Sequence, residues 1–198
     1  MTKGQLYSQI ILELGLNSQD RRVHPLSVFM AADTVRGALI PTYVEKHGDD
    51  SLSLFCMETV LPVKFDSSRG LKYVSLPFQI LGLADNKGLF SVGPTMDDES
   101  AYIGIKNGMT SVYSNLEAGG AAGNTLYWLS GTRINFRYLP AGVENVLVKA
   151  IPSLSDLLDD NEQVPQPLEF NRLVIDGTKQ AILPQVAEDK TIDTRQGA

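Results

Sequence analysis

The stretch that decides the fold is His24-Pro-Leu-Ser-Val-Phe-Met-Ala-Ala-Asp-Thr-Val-Arg-Gly-Ala-Leu-Ile-Pro-Thr-Tyr-Val-Glu-Lys-His-Gly48. Its apolar side chains recur at the three- and four-residue spacing of one helix face. They are Val28, Ala31, Ala32, Val35, Leu39 and Tyr43. Pro25 suits the first helical position, and Gly48 suits the end of the helix. The stretch therefore predicts a long amphipathic helix that needs a packing partner.

The polar side of this helix carries four charged residues: Asp33, Arg36, Glu45 and Lys46. Asp33 and Arg36 are three positions apart, which predicts a weak surface ion pair. Pro41 cannot donate a hydrogen bond to the carbonyl of Gly37, so we expect a kink there or a break into two helices.

Further helical patterns lie at both ends of the chain. Residues 3–16 predict a short first helix that stops at Gly15. Near the C-terminus, Pro167 suits a first helical position and Pro184 an end. The apolar stripe expected between them is Phe170, Leu173, Val174, Gly177 and Ala181. The polar segment from Gln185 to Ala198 lacks periodicity and predicts a free terminus, or an arm that becomes ordered against another subunit.

The middle of the chain, from Asp49 to Ile151, consists of short β-branched and aromatic runs separated by turn residues, which predicts strands. The expected strands are Leu52–Phe65, as one long or two short strands with Pro62 at an edge or a bulge, then Lys72–Pro77, Tyr102–Lys106, Met109–Tyr113, Thr125–Leu129, Arg133–Leu139 and Val146–Ile151. Asn107-Gly108 predicts a type I′ hairpin, and Ser130-Gly131-Thr132 predicts a second hairpin. Alternation predicts that Ile134, Phe136 and Tyr138 share one face.

These patterns predict an α+β fold in which N- and C-terminal helices form a body and an antiparallel β-sandwich or barrel is inserted as a lobe. The expected parts are residues 1–48 (N-terminal helices), 49–151 (β-rich lobe), 152–184 (acidic connector and C-terminal helix) and 185–198 (flexible tail or arm).

Composition limits the class of protein. The 198 residues are 43% hydrophobic, which is enough for a core, and the net charge of -6 disfavours broad binding of nucleic acid. No apolar run approaches the ~20 residues needed to cross a bilayer. The N-terminus lacks a signal-peptide pattern, and the single cysteine excludes an internal disulfide. We therefore expect the protein to stay in the reducing cytoplasm where it is made.

Residues able to do chemistry are few, and we predict no catalytic, metal-binding or cofactor-binding residues. His24 and His47 lack a second ligand at metal spacing, and Cys56 lies in an apolar run that predicts a buried, inert thiol. The connector carboxylates lack the glycine and terminal glutamate of an EF-hand. These carboxylates belong to Asp156, Asp159, Asp160 and Glu162. The glycine-rich stretch Leu116–Asn124 lacks the lysine of a phosphate-binding loop and predicts a mobile hairpin tip.

Contacts with other proteins are the expected use of the exposed polar segments. The candidates for a subunit interface are Asp97, Asp98, Glu99, Gly119, Gly120, Gly123, Gln185, Ile192 and Arg195. Arg21 and Arg22 lie in the linker before the long helix, where they are either solvated or dock on an acidic partner.

Several stretches together resemble the head–tail connector (adaptor, or ring) proteins of tailed bacteriophages, in particular those of the crAss-like phages. They are Leu26–His47, Tyr73–Leu83, Gly88–Pro94 and Ile151–Phe170 with the helix that follows. The resemblance is one of layout over most of the chain, without a catalytic motif.

This resemblance implies a virion protein made in the host cytoplasm, a homo-oligomeric ring in which twelve is the expected number of subunits. The ring would stack under the portal protein, next to neighbouring ring or tail proteins, on the path of the genome. Double-stranded DNA would pass through without specific binding, and no membrane would be involved. An acidic wall suits such passage, because tight binding would slow the DNA.

Two other classes of function stay open. The first is a carbohydrate- or peptide-binding β module that would use Tyr127, Trp128, Phe136 and Tyr138 as stacking groups, although alternation favours most of these as core. The second is a hydrolase with an acidic site at Asp97–Glu99 or at Asp159 and Asp160.

Overall fold

The structure is a computed structural model that describes residues 1–16, 23–83, 88–95, 101–106, 124–157 and 159–193, with only the backbone described for 185–193. The helices are α1 (Lys3–Glu13), α2 (Pro25–His47), a 3₁₀ helix (Asp49–Phe55) and α3 (Leu168–Asp193). The strands are β1 (Met57–Pro62), β2 (Lys64–Asp66), β3 (Leu71–Ser75), β4 (Leu89–Pro94), β5 (Ile103–Gly104), β6 (Leu126–Ser130), β7 (Arg133–Arg137) and β8 (Asn145–Ala150). The predicted α+β class is confirmed.

The chain divides into two compact units. The helical unit comprises residues 1–56, 81–83 and 152–198. The sandwich unit comprises residues 57–80 and 84–151, and it contains all eight strands named above.

Helix α2 forms as its end signals predict. Pro25 occupies the first turn, and the Nδ1 atom of His24 accepts a hydrogen bond from the backbone N–H of Leu26. Gly48 ends the helix with φ of 93°, a conformation that glycine adopts without strain. The helix is continuous through Pro41, so of the two predicted outcomes, a kink or a break, the break is wrong. Because Pro41 lies on the exposed side, water can satisfy the carbonyl that loses its partner.

Helix α3 packs against both α1 and α2, which confirms that the terminal helices of the chain pack together. The ring of Tyr43 lies edge-on to that of Phe170, with centroids 5.7 Å apart, and its hydroxyl donates to Glu169 Oε1 at 2.8 Å. Gly177 lies so close to Val35 that a Cβ atom there would be 2.7 Å from the Val35 Cγ1 atom. The glycine therefore permits the close approach of the two helices.

The predicted stripe of α3 is only partly correct. Phe170 and Val174 are buried, but Leu173 is 49% exposed and Ala181 is also exposed. Since α3 contacts two helices, its buried arc is displaced and also includes Ile175, Thr178 and Ile182. The predicted end at Pro184 is wrong, because the helix continues to Asp193 and so contains both Gln185 and Ile192.

Residues 52–55, predicted as strand, belong instead to the 3₁₀ helix. Ser51 Oγ donates to the Gly48 carbonyl, and Ser53 Oγ donates to the Asp50 carbonyl, both at 2.6 Å. Such local side-chain hydrogen bonds favour turns over strands. The strands begin at Met57, and Pro62 lies at the end of β1, one of the two edge strands of its sheet, as predicted.

The sandwich unit holds a three-stranded sheet of order β1-β8-β4 and a five-stranded sheet of order β2-β3-β7-β6-β5. Pairing is antiparallel except between β5 and β6, which are parallel over two residues. Both sheets contribute to one core, including Val92 and Val148 from the first and Val74, Ile134 and Phe136 from the second. Burying side chains of this size stabilises the fold by about 1.5–3 kcal/mol each.

The predicted β6–β7 hairpin is confirmed, with Gly131 in the turn at φ of 62°. Alternation correctly places Ile134 and Phe136 in the core, but Tyr138 is 45% exposed. The reason is that β7 ends at Arg137 and Tyr138 takes a positive φ of 61°, which turns its side chain away from the strand's alternation. The predicted hairpin at Asn107-Gly108 lies outside the described residues.

Candidate functional site

Most residues predicted as interface candidates lie outside the part of the chain that the structure describes. These are Asp97, Asp98, Glu99, Gly119, Gly120, Gly123, Arg195 and the docking candidates Arg21 and Arg22. Of the remaining two, Gln185 and Ile192, only the helical backbone is described. Their roles in contacts between subunits stay predictions.

The acidic connector anchors the N-terminus of the chain. The backbone N–H groups of Lys3 and Gly4 donate to the carbonyls of Glu162 and Asp160 at 2.9 and 2.8 Å. The Lys3 ammonium donates to the carbonyl of Leu157 at 2.6 Å and lies 3.8 Å from an Asp160 carboxylate oxygen. That carboxylate is nevertheless 77% exposed. These contacts hold the backbone of the connector against the start of α1, while the Asp160 carboxylate stays accessible.

Residues of the kind that bind metals do not cluster in the described ranges: no three histidine, cysteine or acidic side chains come together there. His24 caps α2, and the ring of His47 stacks on that of Tyr43, with centroids 4.2 Å apart. Cys56 is only half-buried, rather than buried as predicted, and its thiol lies 3.5 Å from the Leu52 carbonyl oxygen. These side chains serve local structure.

The predicted surface pair of Asp33 and Arg36 is wrong, because Arg36 is 0% exposed. Its Nη1 atom donates to Asp33 Oδ1 at 3.2 Å and to the Pro152 carbonyl at 2.9 Å. Asp33 also accepts hydrogen bonds from the Ser153 hydroxyl at 2.6 Å and the Leu154 N–H at 2.9 Å. The cause is the start of the connector, which packs over this side of α2 and covers the pair.

This buried cluster ties α2 to the connector rather than forming an accessible site. The Nε and Nη2 atoms of Arg36 have no hydrogen-bond partner among the described residues. Burial lowers the pKa of Arg36, and the neighbouring Asp33 carboxylate opposes that shift. A solute cannot reach a guanidinium with no exposed surface, so the cluster's role is structural.

An accessible concave site lies in the sandwich unit. We call it the cationic groove and define it by six of its lining residues: Phe65, Arg69, Lys72, Trp128, Arg137 and Tyr138. Its volume is about 590 Å³, within the range of ligand-binding clefts. Strands β2, β3, β6 and β7 of the five-stranded sheet supply these residues, together with the β2–β3 turn and the end of β7. Three cationic and three aromatic side chains therefore line one depression.

Several contacts fix the walls of the groove. The Lys72 ammonium donates to the carbonyls of Leu139 and Pro140 at 3.3 and 2.8 Å. The Arg137 guanidinium lies 5.4 Å from the centroid of the Tyr138 ring, a cation–π contact. Arg69 lies in the turn after β2 and is exposed.

Asp66, at the end of β2, interacts electrostatically with Arg69 of the groove. The Ser68 hydroxyl and backbone N–H donate to its Oδ1 atom at 2.6 and 3.0 Å, and the hydroxyl contact is the main cause of its lowered pKa. Arg133 lies 4.0 Å from its Oδ2 atom. This carboxylate therefore offsets part of the charge of the three cationic side chains that line the groove.

Sequence reasoning named Trp128 and Tyr138 as stacking candidates, but it did not name Arg69, Lys72 or Arg137 as site residues. Of the four aromatic candidates, Tyr127 and Phe136 are core residues, as alternation predicts. The available signal for Arg69 was its place in the turn Asp66-Ser67-Ser68-Arg69-Gly70, where a side chain is free to face solvent.

The helical unit exposes large apolar side chains. Leu26 and Met30 lie one turn apart on α2 and are 47% and 59% exposed. Leu12 and Leu168, from α1 and α3, are exposed to a greater extent. None of the helices, as far as the chain is described, combines the length and the hydropathy needed to traverse a lipid bilayer.

No protein-family model matches the sequence, and no curated protein matches it significantly.

Proposed function

We propose that this chain is a structural subunit of a tailed-phage head–tail connector ring, located under the portal on the path of the genome. The proposal begins from the resemblance of Leu26–His47, Tyr73–Leu83, Gly88–Pro94 and Ile151–Phe170 to such ring proteins. The expected ring has twelve copies, and its role is mechanical, because its helical bodies and β-rich lobes supply shape and contacts.

The observation that carries the proposal is a firmly tied helical unit that leaves apolar side chains exposed. Its ends are joined by the backbone hydrogen bond from Val164 to Met1 and by the ion pairs of Arg172 and Lys179 with Glu13, at 2.9 and 3.2 Å. Apolar side chains one turn apart on the outside of such a body suit burial against another subunit.

Particle mass and symmetry test the proposal. We expect the purified protein, alone or with the portal protein of the same virion, to form closed rings visible by electron microscopy and native mass spectrometry. Met30→Glu should reduce ring formation because it places a charge in the apolar contact, while Thr42→Glu, also exposed on α2, should not. Both variants should have the same melting temperature as the parent protein. If no rings form either from the protein alone or from its mixture with the portal protein, the proposal is contradicted.

Truncation after Pro184 tests the expected role of the last residues in assembly. Ile182 is the last buried side chain described, so the truncated chain keeps its described core and should fold. We expect it to assemble poorly, since the removed segment includes the candidate contacts Gln185, Ile192 and Arg195. Rings that form unchanged would show that this segment is not an assembly contact.

A further inference from the structure

We infer that the cationic groove of one copy binds residues 159–162 of the acidic connector of a second copy. This inference rests on the proposed ring, in which each subunit must offer two different surfaces to its two neighbours. It specifies which surfaces meet: a groove in the sandwich unit, and a connector in the helical unit of the next subunit.

The charge of the groove differs in sign from that of the whole chain. The protein carries a net charge of -6, yet three cationic side chains, Arg69, Lys72 and Arg137, line one depression. Cations gathered in a concave site focus a local positive potential and favour an anionic occupant.

The aromatic residues favour a polypeptide with mixed polar and apolar groups over a bare ion. Phe65 is 65% exposed and Tyr138 is 45% exposed, so both offer apolar surface beside the cations. Trp128, which is half-buried, also lines the groove. Aromatic residues and arginine together are typical of the energetically dominant part of a protein–protein interface.

Residues 159–162 of the connector carry the complementary charge. Asp159 and Asp160 are exposed, whereas Glu162 is half-buried and its Oε2 atom is buried. Hydrogen bonds from the backbone of Lys3 to Glu162 and from that of Gly4 to Asp160 hold the segment, so little ordering entropy would be lost on docking. The Asp160 carboxylate lies 3.8 Å from the Lys3 ammonium and stays 77% exposed.

A groove-to-connector contact is heterologous, because the two surfaces are different parts of the chain. Repeated around an axis, such a contact closes a ring when the rotation between copies divides a full turn, whereas a contact of the groove with itself would place like charges together. The contact also opposes the mutual repulsion of two copies that each carry a net charge of -6. A double-stranded or single-stranded nucleic acid would experience that same repulsion from the whole chain.

The single tryptophan, Trp128, lines the groove, so intrinsic tryptophan fluorescence reports on its occupancy. We would titrate the protein with a synthetic peptide of residues 155–165 and with a matched peptide carrying Asp159→Asn, Asp160→Asn and Glu162→Gln. We expect a saturable change with the acidic peptide that weakens as salt is added, and little change with the neutral one. Equal responses to both peptides would overturn the inference.

Variants then locate the binding. Arg69→Glu, in an exposed turn, should weaken peptide binding by about two- to twentyfold, as expected for the loss of one or two exposed charge pairs. Lys46→Glu, an equal charge change at an exposed position of the helical unit, should leave it unchanged. Single-stranded DNA and an acidic oligosaccharide serve as competitors. Tighter binding of either than of the peptide would assign the groove to that ligand instead.

A charge exchange tests the contact between whole chains. Arg69→Glu with Arg137→Glu, or Asp159→Lys with Asp160→Lys, should each prevent self-assembly, while an equal mixture of the two double variants should restore it. Should Arg137→Glu unfold the chain, Arg69→Glu alone still carries the test. Rings that form normally from either variant would refute the groove contact and leave the ring itself standing. Peptide binding without any ring would support the groove contact and refute the proposed assembly.

Discussion

Replacing Asp33 by alanine should be among the most damaging single changes in the helical unit. The change removes the counter-charge of Arg36, which is 0% exposed. It also removes the acceptor of the hydrogen bonds from the Ser153 hydroxyl and the Leu154 N–H. The guanidinium would keep only its contact with the Pro152 carbonyl, while its Nε and Nη2 atoms already lack partners among the described residues.

The magnitude follows from the burial of the charge. Removing one partner of a buried ion pair typically costs about 3–5 kcal/mol, because the other charge stays buried without compensation. For a chain of this size each 1 kcal/mol lowers the melting temperature by about 2–4 °C, so we expect a fall of roughly 6–20 °C. A loss of this size is a large part of the ~5–15 kcal/mol that stabilises a typical protein.

The replacement of Arg36 by methionine should be less costly. It removes the charge that needs compensation and fills the site with an apolar chain, while Asp33 keeps its donors from the connector. The double variant Asp33→Ala, Arg36→Met should therefore be more stable than Asp33→Ala alone. That order would show that the unpaired guanidinium, rather than the lost carboxylate, causes most of the damage.

Thermal and urea unfolding followed by circular dichroism would measure the four members of this cycle. Thr42→Ala, an exposed change on the same helix, is the control and should stay within about 0.5 kcal/mol of the parent. A loss below about 1 kcal/mol for Asp33→Ala, or a double variant less stable than Asp33→Ala, would refute the reasoning.

Two further predictions concern α3. Gly177→Ala gains about 1 kcal/mol of helix propensity but overpacks against Val35, at a cost of about 1–3 kcal/mol, so urea unfolding should show a net loss of up to about 2 kcal/mol. In a Val35→Ala background the same change should stabilise; if it still destabilises, the close approach is not the cause. Hydrogen bonds from Arg172 and Lys179 lower the pKa of Glu13 from 4.5, so its ion pairs stabilise the fold above that pH and lose their effect as the pH falls through the lowered folded-state pKa. Glu13→Gln should therefore be less stable than the parent at pH 7, with a difference that shrinks at acidic pH; a difference independent of pH would contradict this assignment.

Short sequence patterns correctly predicted those helix ends and turns that are set by residues next to them in the chain. The His24-Pro25 start and the Gly48 end of α2 are present, as is the turn at Gly131. In β8, alternation places Val146 and Val148 in the core. These features depend on local backbone geometry and on apolar residues that recur every two residues in a strand or every 3.6 residues in a helix. Both can be read directly from the sequence.

The same signals failed at three places in the chain. Pro184 is a helix stop by local rules, yet α3 continues to Asp193. Leu52–Phe55 has the composition of a strand, but hydrogen bonds from Ser51 and Ser53 favour the 3₁₀ helix. Arg36 has the spacing of a surface residue, and only the packing of the connector buries it.

By itself, the sequence determined the α+β class, the amphipathic terminal helices and the strand-rich middle of the chain, because periodicity and turn residues encode these locally. Only the tertiary structure decided which charges are buried and which share a surface. Arg69 and Arg137 meet in the cationic groove because antiparallel pairing aligns β2, β3 and β7 across a long interval of sequence. A site formed by strand register has no spacing in the chain from which it could be predicted.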